Sequence, residues 1–139
     1  MTVAGGIEDH QARCQPYLAV LRTLAGREAG TGLPRQAAAQ VARATGAVLA
    51  EVEAAVREAR SAAACGPGAT TLLLVRLRRL SAAAGDALGA ASAGDATGMR
   101  RQLHRFEALT SAIWTVQQSV CGPSVPRSAV VRPGRARPG

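Results

Sequence analysis

Apolar residues in this chain recur at intervals of three and four, and no stretch alternates with a period of two. The clearest run is Met99, Leu103, Phe106, Thr110, Ile113, Val116 and Val120. That spacing lines one face of an α-helix and leaves a sheet no strand to build from. Three earlier stretches show the same pattern. Val41, Thr45, Val48, Val52, Ala55, Ala59 and Ala62 form one stripe, widened by Leu49 and Val56. Leu73, Leu77, Leu80, Ala84, Ala87 and Ala91 form another, and Tyr17, Val20, Leu21 and Leu24 a shorter one.

Glycine and proline punctuate these stripes. The first helix is predicted over Ile7–Glu28, with Pro16 as an alternative start, because a helix needs no N–H at its first position. Gly26–Gly32 reads as a turn, and Pro34 as the first residue of the second helix. Cys65-Gly66-Pro67 reads as that helix's stop, with a left-handed glycine cap followed by a proline. Thr70 or Thr71 is the expected cap of the third helix, and Asp95 or Thr97 that of the fourth, after the turn Ala93-Gly94-Asp95. Gly85 and Gly89 weaken the third helix by ~1 kcal/mol each relative to alanine. Four apart, they would offer a flat strip for close packing. The fourth helix ends at Cys121-Gly122-Pro123.

Four amphipathic helices with short turns predict an all-α fold, an antiparallel up-down four-helix bundle over residues 1–121. Residues 122–139, rich in Pro, Gly and Arg, are expected to be a disordered basic tail. The Cys-Gly-Pro triplet recurs fifty-six positions on, and at that offset Leu18, Leu21 and Leu24 fall on Leu74, Leu77 and Leu80. Two duplicated helical hairpins would give this pattern. So would convergence on a common helix terminator.

The chain has no lysine and no asparagine, and is rich in Arg, Ala and Gly. A high-GC bacterium would produce that bias without selection for function. The net charge of +8 is therefore weak evidence for a nucleic-acid partner, and about half of it sits in the tail, at Arg127, Arg132, Arg135 and Arg137. Met1–Asp9 has neither the basic start nor the apolar run of a secretory leader. The most apolar run, Leu72–Leu80, is broken by Arg76, Arg78 and Arg79, so no membrane span is expected. Three cysteines without a leader point to a reducing cytoplasm.

Candidate chemistry is sparse. Cys65 and Cys121 close the two helices that run towards the same end. They are expected to be small hydrophobes, a thiol pair or, least favoured, two metal ligands. Cys14 and His10 share a helix face, but lie about 28 Å from Cys65 in height at ~1.5 Å per helical residue, too far to complete a metal site. His10 and His104 are both expected on the solvated surface. No Glu-x-x-His, no phosphate loop and no catalytic set appears, so neither catalytic residues, metal ligands nor cofactor are expected.

Two binding surfaces remain. Trp114, at the edge of the fourth apolar face, is a core plug or, with Phe106, an interface anchor. Val41-Ala42, Gly46, Val52 and Ala55 fit the small-residue and turn spacing of a helix-turn-helix reader, with Arg43, Arg57 and Arg60 as DNA contacts. Glu51, Glu53 and Glu58 oppose that reading, since phosphate repels them. The function expected is non-catalytic binding of a protein partner or of a second copy as a homodimer. A DNA-binding regulator or a thiol switch at Cys65 and Cys121 stands as the alternative.

Overall fold

A computed structural model describes residues 6–27, 33–61 and 65–120. It contains four helices: α1 (Gly6–Ala25), α2 (Ala37–Ser61), α3 (Pro67–Ser92) and α4 (Ala96–Val120). Each packs on its neighbours in sequence, and α1 closes the ring against α4. Among the described residues α2 and α4 also meet across the centre, while α1 and α3 do not touch. This is the up-down bundle that the helical periodicity requires, since each apolar stripe must face another.

The stripes explain the core. Val41, Ala44, Val48, Val52, Ala55 and Val56 are buried on α2, and Met99, Leu103, Phe106, Ile113 and Trp114 on α4. α3 contributes Leu73 and Leu80, then only alanines: Ala83, Ala84, Ala87 and Ala91. Thr45 and Thr110 sit on core faces because each hydroxyl donates to the carbonyl four residues back, Val41 at 2.6 Å and Phe106 at 2.9 Å.

Several local expectations need correction. α1 does not begin at Pro16 but runs through it. Pro16 and Ala12 are both on the exposed face, so the Ala12 carbonyl that loses its helical donor lies on the solvent side. On α1 the buried stripe is Cys14, Leu18, Leu21 and Leu24, and Val20 is exposed. α2 begins at Ala37, after a turn closed by Ala37 N–H donating to the Pro34 carbonyl at 3.0 Å. Gly66 is not a left-handed stop for α2. Its φ of −73° and ψ of 169° are extended, and it is the N-cap of α3, with Pro67 in the first turn. Thr70 and Thr71 therefore lie inside α3. Gly85 and Gly89 face open space, with nothing within 4 Å of a Cβ built on either. They are not a packing strip.

The α3–α4 turn matches its sequence signal. Gly94 takes φ +75°, and the N–H groups of Gly94 and Asp95 donate to Ala91 and Ala90 carbonyls at 3.1 and 2.8 Å. That is a Schellman closure, and the positive φ is why glycine is there. Asp95 then accepts from the Gly98 N–H at 2.9 Å and starts α4.

Candidate functional site

A cluster of ionisable side chains lies at the α1–α2 seam. His10 is buried, at 4% exposure. Its Nδ1 is 2.7 Å from Glu51 Oε1, and its Nε2 is 3.1 Å from Glu58 Oε2. Two carboxylates face the two ring nitrogens, and only the imidazolium form donates to both. Arg13 Nε donates to both Glu51 oxygens at 3.1 Å. Arg13 Nη2 also lies 3.1 Å from His10 Nδ1, but arginine only donates. The contact of His10 Nδ1 to Glu51 is the shorter of the two.

The spacing of the chain explains the cluster. His10, Arg13 and Cys14 share one face of α1, and Glu51 and Glu58, seven apart, share one face of α2. The Glu51 carboxyl is held below its ordinary 4.5, first by the His10 hydrogen bond, against burial, and then by Arg13. The Cys14 thiol is fully buried and pushed from 9.0 up to about 11, chiefly by burial and then by the Glu51 charge. It stays a thiol at neutral pH.

The arrangement is unsuited to thiol catalysis. Both His10 nitrogens are committed to carboxylates, so neither is free to take a proton from Cys14. No group of histidine, cysteine and acidic side chains among the described residues could hold a metal ion. What the cluster does is clamp α1 to α2. Its partners stand 41 and 48 residues apart in sequence, and no local pattern marks them. The expectation of an exposed His10 is therefore corrected, while His104 is exposed.

Other sequence candidates fall as follows. Trp114 at 6% and Phe106 at 0% exposure are core residues, so neither is an exposed anchor on the single chain. Arg43, Arg57 and Arg60 are exposed on α2, but α2 passes through Gly46 as one continuous helix. The corner that frees a recognition helix is absent. Cys65 is partly buried and disulfide-bonded, and Cys14 is the free cysteine among the described residues. Cys121, like the basic tail, lies outside the described residues. Arg100 on α4 reaches α1: its Nε and Nη2 donate to the Ala25 and Arg27 carbonyls at 2.9 and 2.8 Å. A cation on the last carbonyls of a helix also complements its dipole.

Comparison with protein families, curated proteins and solved structures found no match for this chain. No described helix is long and apolar enough to cross a membrane.

Proposed function

We propose that this bundle is a non-catalytic binding module that docks a helix of a protein partner or of a second copy. The observation that carries the reading is a pair of exposed apolar side chains on α3, Leu72 at 39% and Val75 at 37%. Three apart, they share a face. Arg76, half-buried, and Arg79, exposed, continue that face. An apolar strip edged with arginine suits an amphipathic helix whose rim carries carboxylates. The groups otherwise equipped for chemistry, His10, Glu51 and Glu58, are used up in holding helices together.

The test compares the full chain with the double variant Leu72→Glu/Val75→Glu. Solution mass is measured over a wide concentration range, and capture of partners from the native cell is run in parallel. The expected result is an association, with itself or with a partner, that the double variant loses while its helix content and melting temperature hold. A single-chain mass at every concentration, with identical capture by both proteins, would defeat the reading.

A further inference from the structure

We infer that the partner docked on α3 is a second copy of this chain, held as a two-fold pair in which the two α3 helices run antiparallel with Ala82 at the axis. The inference rests on the binding reading above and names its occupant. α3 has an outer face unlike that of a helix that meets only water. Two lines of exposed residues run along it at intervals of seven, a spacing that stays on one side of a helix over two turns. One line is Val75, Ala82 and Gly89, and the other, beside it, is Leu72, Arg79 and Asp86. The first line has no polar side chain, whereas the solvent face of a helix ordinarily carries many. Nothing in the described chain covers its far end: a Cβ built on Gly85 or Gly89 meets no atom within 4 Å.

The charges on this face say what covers it. Asp86 is the only acid of α3. The positions three and four residues to either side of it are Ala82, Ala83, Gly89 and Ala90, so its own helix offers it no cation at pairing distance. Arg79 stands two turns away, ~10.5 Å along the axis. Among the described residues neither Arg79 nor Asp86 forms a salt bridge.

A two-fold axis through Ala82 sets positions equally far before and after it opposite one another. Val75, seven before, seats on Gly89 of the other copy, seven after, a branched side chain over bare backbone. Arg79, three before, comes level with Asp86, four after, to within ~1.5 Å in height and on the same flank. Symmetry makes each pairing twice. Arg78 falls on the opposite flank, where Gly85 of the other copy leaves room for its stem while its head reaches water. A parallel pair would instead bring Arg79 level with Arg79 and Asp86 level with Asp86, so charge favours the antiparallel arrangement. Bump and hollow, cation and anion stand at matching distances about one small residue. A face of that kind is complementary to itself.

Solution mass of the full chain is measured over a wide concentration range for the parent and for charge variants at these exposed positions. The parent is expected to dimerise. Arg79→Asp alone and Asp86→Arg alone each set two like-charged pairs against one another and should weaken the dimer roughly tenfold or more. The double variant Arg79→Asp/Asp86→Arg restores opposite charges and should return to within about threefold of the parent. An equimolar mixture of the two single variants should form the mixed dimer as tightly. Ala82→Cys, placed at the axis, should give a covalent dimer with oxidised glutathione, while Ser81→Cys and the parent should not. A single-chain mass at every concentration, a dimer indifferent to both single variants, or a double variant no tighter than either would overturn the antiparallel pair. The binding reading survives those outcomes where Leu72→Glu/Val75→Glu still abolishes capture of a foreign partner, and falls too where that variant changes neither mass nor capture.

Discussion

At the scale of single residues, the buried polar groups divide into those that are satisfied and those that are not. His10 belongs to the first kind. Replacing it with leucine leaves Glu51 partly buried with only Arg13 for company, at a cost of about 1–3 kcal/mol by urea denaturation. Glu58→Gln, on a much more exposed carboxylate, should cost under about 0.5 kcal/mol. The pH dependence has a definite sign at each end. Glu51 has a depressed folded pKa, so its contribution is present above pH 4.5 and is lost as pH falls through the folded value. Cys14 has a raised one, so stability is intact below pH 9.0 and declines as pH climbs towards about 11. Cys14→Ala should abolish that alkaline loss relative to the parent chain, measured as denaturation midpoints at neutral and alkaline pH. Gln117 is of the second kind. It is fully buried; its Nε2 donates to the Ala55 carbonyl at 3.2 Å, but its Oε1 has no donor among the described residues. Gln117→Met keeps the volume, removes the orphan and gives up the hydrogen bond to the Ala55 carbonyl, so a net change under about 1 kcal/mol is expected. Neither residue could be read from sequence as it stands in the fold. Gln117 falls between Ile113 and Val120 on the apolar stripe, but a lone glutamine there reads as an edge. His10 depends on carboxylates that another helix brings to it.

The helices themselves show why boundaries were less legible than faces. A stripe such as Val41 to Val56 repeats its message at each turn, so one misleading residue does not spoil it. A boundary is written once, by one or two residues that often suit either end. Gly66-Pro67 satisfies a helix stop and a helix start equally well in sequence, and only the extended φ and ψ of Gly66 assign it to the start of α3. Pro16 was ambiguous for the same reason. Glycines carry the same double meaning, and substitution separates them. Gly46, Gly85 and Gly89 have free space around the missing Cβ and ordinary helical backbone. Alanine at each should stabilise by about 0.5–1 kcal/mol, seen as a higher melting temperature. Gly94 has equal space but a φ of +75°, so alanine there should destabilise by about 1 kcal/mol. Gly46→Ala also bears on the DNA reading. A gain in stability there is what a straight bundle helix requires and a turn would forbid.

Across the whole molecule, the distribution of side-chain size sets which helices meet. α4 carries the bulk, in Phe106, Met99, Ile113 and Trp114, whereas α2 turns valines and alanines inward. Large residues opposite small ones let α2 and α4 touch across the centre while α1 and α3 stay apart. The buried apolar residues of all four helices form one connected cluster. Trp114 is the chain's one tryptophan and is buried in that cluster, which makes its fluorescence a probe of tertiary packing. Far-ultraviolet circular dichroism follows the helices separately. If the cluster behaves as one unit, the two signals should trace the same urea transition. Phe106→Ala tests how far that unity depends on the central aromatic. Removing a fully buried phenylalanine should cost about 3–5 kcal/mol, a large share of the roughly 5–15 kcal/mol that holds a domain together. The alanines of α3 offer little bulk to collapse into the void, which favours the upper part of that range. Fluorescence moving ahead of circular dichroism in the parent chain would show helices outlasting their packing, and the cluster would then not melt as one unit.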